Sequence, residues 1–482
     1  MTITMFKAPW VVAFQDGEHR LLQDGCVVVE GDTVRYTGRQ YSGPVDETVE
    51  TGALISPGFI STHSHLHESP LDKTLGEDSD RRQFWSTSLV DILPTKAAAM
   101  REQDMLACLD YSMIELVRTG TTTVLQLGEL SDAVADRVDA SGLRAYIGES
   151  YRSGRWLTRN GRNVEYEWDE PGGQRGLDRA VDFVRRQAGR GNGRIQGLLN
   201  PAQVDTCTEG LLRDSKAAAA ELRVPLTIHA AQSVYEFHEM TRRHGRTPIE
   251  WLGDIGFLGE NTLIAHCLFL AGNPWVNFAG DDLGLLADSG TAVSYNAWVF
   301  ARNGINMESY DKYRRAGVRI SLGTDTVTQS MIESCRWTAV LGKIAERRSD
   351  GATARQVFDS ATVIAADLLG RPDLGRIASG AKADLLFWRT DSLFMTPMRD
   401  PIRSLVYYAQ AEDLAHVMVD GNWIQRDGAP VHGDLPAAVA ALSESAQHVW
   451  NAWPEHDWAG RTLDEQMGMS CAPFADETGV TG

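Results

Sequence analysis

His63-Ser64-His65 stands directly after an apolar run, residues 54–62, that contains Pro57-Gly58. At a spacing of two, both rings share one side of a strand end, where two imidazole nitrogens can converge on one metal ion. An HxH pair alone is common and says little. Three further residues sharpen the signal. His229 ends the apolar run 224–228, His266 ends 263–265, and Asp325 follows 318–322 after Gly323-Thr324. Histidines satisfied independently in a core have no reason to fall at the ends of separate strands, whereas a (β/α)8 barrel assembles its active site there. Imidazoles and a carboxylate suit a borderline divalent ion, and a metal that keeps one position open for water lowers its pKa towards about 7.

The elements that must position these residues are legible from periodicity. Residues 10–38 alternate short apolar runs with turns, the pattern of small antiparallel strands. From residue 54 apolar strands alternate with helical stretches, as in βα units and a parallel sheet. The eight candidate strands are residues 54–62, 121–127, 143–149, 195–200, 224–229, 262–266, 291–295 and 318–325, the number that closes a barrel. Between the first two, residues 101–118 place Met105, Leu109, Met113, Leu116 and Val117 on one helical face. Short strands return at 383–388 and 416–419, and residues 434–452 read as an amphipathic helix serving as a buttress or interface arm. The fold class expected is α/β: a TIM-type barrel over 55–375, a small β-domain from 1–54 with 376–432, and a helical extension over 433–482.

Composition narrows the partners. With 46 basic and 65 acidic residues in 482, the formal charge of −19 disfavours nucleic acid and acidic membrane surfaces. The first twenty residues show no charged leader with a long apolar core, so a cytoplasmic enzyme acting on a small molecule is expected, as a homo-oligomer. Six cysteines without a CxxC pair read as reduced, mostly buried thiols.

The run from Ile55 to His65, then Ile228-His229, Ala265-His266 and Leu322-Gly323-Thr324-Asp325, resembles the amidohydrolase superfamily. Leu374-Gly375-Arg376-Ile377, residues 380–385 and Val419-Asp420-Gly421 are similar to the return strands of its split β-sandwich, so the two end segments should form one domain. By position the resemblance implies His63, His65, His229 and Asp325 as ligands of one divalent metal, with zinc first and iron, manganese or cobalt as alternatives. His266 would contact the metal-bound water, and Asp325 would also accept its proton. Binuclear members use a lysine from the fourth strand; residues 195–200 offer none.

One position departs from the pattern. The family's deaminases place a glutamate three residues after the fifth-strand histidine, and this chain has Gln232, which cannot donate or take a proton near neutral pH. Gln232 and the loop 69–73 look more like phenylurea and molinate hydrolases. The resulting expectation is hydrolysis of a small uncharged urea, carbamate, thiocarbamate or anilide by metal-activated hydroxide, with Gln232 orienting the substrate. Deamination or dechlorination of a nitrogen heterocycle is the alternative, with Glu129, Glu149 or a water replacing the missing acid. His67 reads as a substrate-binding or a solvated loop histidine, Trp85, Trp156, Trp298 and Phe300 as pocket wall or local packing, and Asn296 and Asn303 as polar pocket residues; His238 and His244 read as surface residues, and 152–176 is a candidate lid.

Overall fold

The computed structural model describes residues 2–79 and 88–472. The chain begins with β1 (Ile3–Gln15), β2 (Glu18–Glu30), β3 (Thr33–Gly38), β4 (Glu47–Glu50) and β5 (Ala53–Pro57). β1 and β2 form a long antiparallel hairpin whose turn, Asp16-Gly17, has positive φ at both residues, the geometry that favours Asp-Gly.

The barrel follows. Its strands are β6 (Phe59–Ser64), β7 (Thr121–Gly128), β8 (Arg144–Tyr151), the short β11 (Ile195–Gly197) and β12 (Asn200–Pro201), β13 (Leu226–Ala230), β14 (Thr262–His266), β15 (Ala292–Tyr295) and β16 (Arg319–Leu322). The hairpin β9 (Gly154–Leu157) and β10 (Glu165–Trp168) is inserted after β8. Two parallel sheets, β6-β7-β8-β11 and β13-β14-β15-β16, are joined by parallel bridges Leu199–Leu226 and Gln203–His229 on one seam and Ser64–Asp325 on the other. With β11 and β12 sharing one position, eight positions close the ring. Every residue of β7 is buried, as a parallel strand covered on both faces must be.

After the barrel, β17 (Leu385–Arg389), β18 (Leu414–Val419), β19 (Asn422–Arg426) and β20 (Ala429–Pro430) return to the first five strands. The nine-stranded sheet has the order β20-β19-β18-β17-β5-β1-β2-β3, with β4 on β1. Phe6, Val11, Val27, Ile55, Leu385, Phe387 and Met418 share its core. The single strand expected over 54–62 is thus two, β5 in the small sheet and β6 in the barrel. The chain changes sheets at Pro57-Gly58, where a Cβ on Gly58 would lie 2.0 Å from Thr122 Oγ1. Buried Arg144 ties the two bodies together, reaching Asp384 at 3.2 Å and Asp420 at 2.5 Å.

Three helices bear on the site. α1 (Ile92–Ala99) and α2 (Glu102–Arg118) lie between β6 and β7; α2 buries Leu109, Met113, Leu116 and Val117, the stripe expected, with Met105 packed at the edge of a satellite core. α3 (Val234–His244) follows β13 and is capped by Ser233, whose Oγ accepts from Glu236 N at 3.0 Å. The C-terminal α4 (Leu435–His456) packs Ala446, Val449 and Trp453 against Ile92, Ala99, Met100 and Cys108. Among the described residues no helix is long and apolar enough to cross a membrane.

Candidate active site

Five side chains meet at the C-terminal mouth of the barrel. His63 lies on β6 with His65 just beyond it, His229 and His266 sit near the ends of β13 and β14, and Asp325 follows β16. The strand ends are cross-linked through backbone: Thr324 N and Asp325 N donate to His63 O at 3.0 and 2.9 Å, and His65 N donates to Asp325 O at 3.1 Å. A side chain on Gly323 would meet Asn296 Oδ1 at 2.3 Å and His63 O at 2.8 Å, so the close approach needs glycine. His266 and Asp325 have φ of 79° and 59°, a left-handed conformation unusual for such residues and retained where it aims a working side chain.

The ring orientations fit a cation. His65 Nδ1 lies 3.1 Å from Leu127 O, and His229 Nδ1 lies 2.5 Å from Ala202 O, so Nδ1 carries the proton in each ring and Nε2 is bare. The two Nε2 atoms face each other at 3.2 Å, where paired lone pairs repel unless a positive ion lies between them. Neither ring nitrogen of His63 has a hydrogen-bond partner among the described residues, although the ring is fully buried. Asp325 Oδ1 lies 3.7 Å from Nε2 of both His63 and His65. Within one set of neighbours, His63, His65 and Asp325, and in another, His63, His229 and His266, all donor atoms fall inside 4.8 Å. Burial keeps the rings neutral: it drives His63 and His266 well below the usual imidazole range and His229 down to about 3. Burial also pushes the Asp325 carboxyl up to about 6.

His266 differs from the other rings. Asn296 Nδ2 donates to its Nδ1 at 3.0 Å, leaving the ring proton on Nε2, which points towards Asp325 Oδ2 at 3.8 Å. In that tautomer Nε2 carries a proton, and the same ring also belongs to one of the two donor groups close enough to hold an ion.

A cavity of about 720 Å³ opens over this centre, within the range of small-molecule sites. Gln232 lines it, only 6 % exposed, with Oε1 lacking a partner among the described residues. Behind Gln232, Glu236 accepts from the backbone N of Ala231 and Gln232 at 2.6 and 3.1 Å and from Gln203 Nε2 at 2.8 Å. Burial, followed by nearby Asp205, pushes the Glu236 carboxyl up to about 8. Sequence reading does not single out Glu236; the Ser233-x-x-Glu236 cap is its one available signal.

The other candidates separate. Trp156, Phe300 and Asn303 line the cavity, and Trp156 Nε1 donates to Asp205 Oδ2 at 2.9 Å. His67 is buried in the wall, its Nδ1 3.2 Å from Gln126 Nε2. Trp298 stacks on Trp337, and His238 and His244 are exposed on α3. Glu129 lines the cavity, whereas Glu149 pairs with Arg179 at 3.0 Å. The segment 152–176 forms the β9-β10 hairpin at the cavity rim and the start of the next helix. Trp85 lies outside the described residues.

Residues 54–424 match the amidohydrolase family. The chain belongs to that family. It is a metal-dependent hydrolase acting on C–N bonds. A 5-methylthioadenosine/S-adenosylhomocysteine deaminase of Halobacterium salinarum is 29 % identical over 88 % of this chain and 93 % of its own length. A 5'-deoxyadenosine deaminase of Methanosarcina mazei is 28 % identical over 84 % of this chain and 89 % of its own. Among solved structures, an adenosine deaminase from Xanthomonas campestris with bound zinc superposes with a TM-score of 0.80 at 19 % identity, covering 92 % of this chain and 98 % of that one. An atrazine chlorohydrolase variant from Arthrobacter aurescens, complexed with zinc and atraton, gives 0.78 at 22 % identity over 92 % and 100 %. These structures share the barrel and small sheet domain.

The relatives correct the expected reaction. Cleavage of a urea, carbamate, thiocarbamate or anilide was inferred from Gln232, and it is contradicted by full-length relatives that are deaminases. One missing carboxyl removes one proton carrier. It leaves the cluster of His63, His65, His229, His266 and Asp325 in place, so it does not by itself move the site to another substrate class. Nor is the resemblance to phenylurea hydrolases supported.

Proposed function

We propose that the chain hydrolyses the exocyclic amino group of an adenine-type nucleoside modified at its 5' position, with one zinc ion held by His63, His65, His229 and Asp325. The observation that carries this reading is the run of deaminase relatives over nearly the whole chain, on a site whose ligand geometry is intact. Zinc in such a set supplies a water of lowered pKa and polarises the attacked centre. Asp325, whose carboxylate lies 3.7 Å from Nε2 of both His63 and His65, would be placed to take a proton from that water and return it to the departing ammonia. His266 Nε2–H, oriented by Asn296, would donate a hydrogen bond to the attacking oxygen and hold it against the ring carbon. Gln232 contributes hydrogen bonds without proton transfer: its amide nitrogen can donate to a ring nitrogen while Oε1 accepts from an amino group. Apolar groups of the cavity wall, among them Leu75, Ile92, Leu93 and Phe300, exclude water from the base.

Purified protein with a measured zinc content should release ammonia from 5'-deoxyadenosine and 5-methylthioadenosine. Protein holding close to one equivalent of zinc that releases none from either would overturn the reading.

A further inference from the structure

Behind the cavity wall lies a charged group that the chemistry above does not use. Lys96, on α1, is fully buried, yet its ammonium donates to carboxylates on two sides, to Asp72 and, at 3.0 Å, to Glu68 Oε2. Removing an ammonium from water is costly, and an apolar side chain of similar length would pack α1 without that cost. Stability of the fold gives no reason to keep it. Glu68 and Asp72 line the same cavity as His65, His229 and Asp325, and the Glu68 side chain is 24 % exposed there. Lys96 bridges the two carboxylates and Arg302 Nη1 donates to Asp72 O at 3.2 Å, so the Glu68 carboxylate is held in a fixed position on the cavity.

Two independent features frame it. Gln232, nine-tenths buried on the same cavity, offers an Oε1 without a partner among the described residues, so the cavity presents acceptors that await donors. From behind, α1 is clamped by the C-terminal arm: Ile92 and Ala99 pack with Val449 and Trp453, and Asp91 Oδ1 accepts from Trp458 Nε1 and Arg461 Nη2, both at 2.9 Å.

We propose that Glu68 is a substrate-binding carboxylate and Lys96 its positioning residue, together accepting a hydroxyl or ammonium group on the part of the substrate away from the departing amine. This rests on the deaminase reading. A substrate with an apolar group there would strip water from a charged acceptor without replacing its hydrogen bond.

Steady-state kinetics on 5'-deoxyadenosine, its 2',3'-dideoxy counterpart and 5'-amino-5'-deoxyadenosine test it in wild type, Glu68→Gln and Lys96→Met, with zinc content measured for each. The wild type should favour a donor-bearing compound over the dideoxy compound, and which one it favours tells hydroxyl from ammonium. Glu68→Gln should raise KM for the favoured compound about tenfold or more, while kcat, zinc content and KM for the dideoxy compound stay nearly unchanged. Lys96→Met should shift KM in the same direction; if it does not fold, Glu68→Gln decides alone. Equal effects of Glu68→Gln on all three compounds, or none, would overturn the role of Glu68 while leaving deamination standing. No ammonia from any compound with the zinc-loaded wild type would overturn the deaminase reading and this inference with it.

Discussion

Asn296 donates from Nδ2 to Nδ1 of His266 at 3.0 Å and to Ser294 O at 3.4 Å, which fixes the tautomer of a ring packed among His63, His229 and Asp325. Reversing the polarity of that bond should disable the ring without removing it. Asn296→Asp accepts from Nδ1–H, moves the ring's bare nitrogen to Nε2, and should cost about 100-fold or more in kcat with metal retained. His266→Ala should likewise keep most of the metal and lose most turnover. Elemental analysis alongside kinetics separates these outcomes; complete metal loss from folded His266→Ala would make His266 a ligand.

The residues proposed as metal ligands should behave differently. His65 and His229 are held by Leu127 O and Ala202 O with bare Nε2 atoms 3.2 Å apart, so each supplies a fixed corner of one small site. His63→Ala or His65→Ala should lose metal and activity together, and the wild type should hold close to one equivalent. Two equivalents, both needed for turnover, would refute a mononuclear centre.

Much of this is visible in the residues. His63, His65, His229, His266 and Asp325 can be found because strand ends in a barrel are marked by where an apolar run stops, a local signal. The join at Pro57-Gly58 cannot, because the residue that requires glycine there is Thr122, far along the sequence. Lys96 and Glu68 escape sequence reading for the same reason: they meet across a loop and a helix with no periodicity linking them. His67 reads as a loop histidine, and its burial against Gln126 depends on β7 passing beside it. The substrate class goes astray at Gln232, where one side chain is given more weight than the whole of the surrounding site.

His19 gives a test of stability away from the metal. Burial, with Arg355 and Arg376 nearby, drives its pKa to about 3 in the folded protein, where Nε2 lies 3.1 Å from Thr362 Oγ1. In the unfolded chain it returns to near 6.5. The folded pKa is depressed, so below 6.5 the unfolded state binds the additional proton and stability falls as pH falls towards 3. Between pH 7 and 5 this one group should cost about 2 kcal/mol. His19→Gln should therefore lower stability at pH 7 while making it less sensitive to acid, read as melting temperature against pH. Parallel profiles for the two proteins would show that His19 is not held neutral in the fold.

The last prediction concerns Gln232, whose side chain lines the cavity with Oε1 unpartnered and whose backbone N is anchored to Glu236 at 3.1 Å. Glu236 holds the loop, so the side chain at 232 can be changed without releasing its backbone. If the amide lies against a ring nitrogen of the base, it can polarise that nitrogen only by hydrogen bonding, and protonation must come from a slower route. Gln232→Glu then supplies a general acid at the same place. Such a group is worth about 10² to 10⁴ in rate when well placed, so kcat on 5'-deoxyadenosine should rise by at least the lower figure. The variant should also gain a dependence on one carboxyl: its rate should fall at high pH as the introduced carboxyl loses its proton, a limb that the wild type, with an amide there, lacks. Metal content should not change, because position 232 lies outside the ligand set. A variant with unaltered kcat and an unaltered pH profile would mean that the side chain does not face the ring nitrogen, and that the amide serves only to shape the cavity.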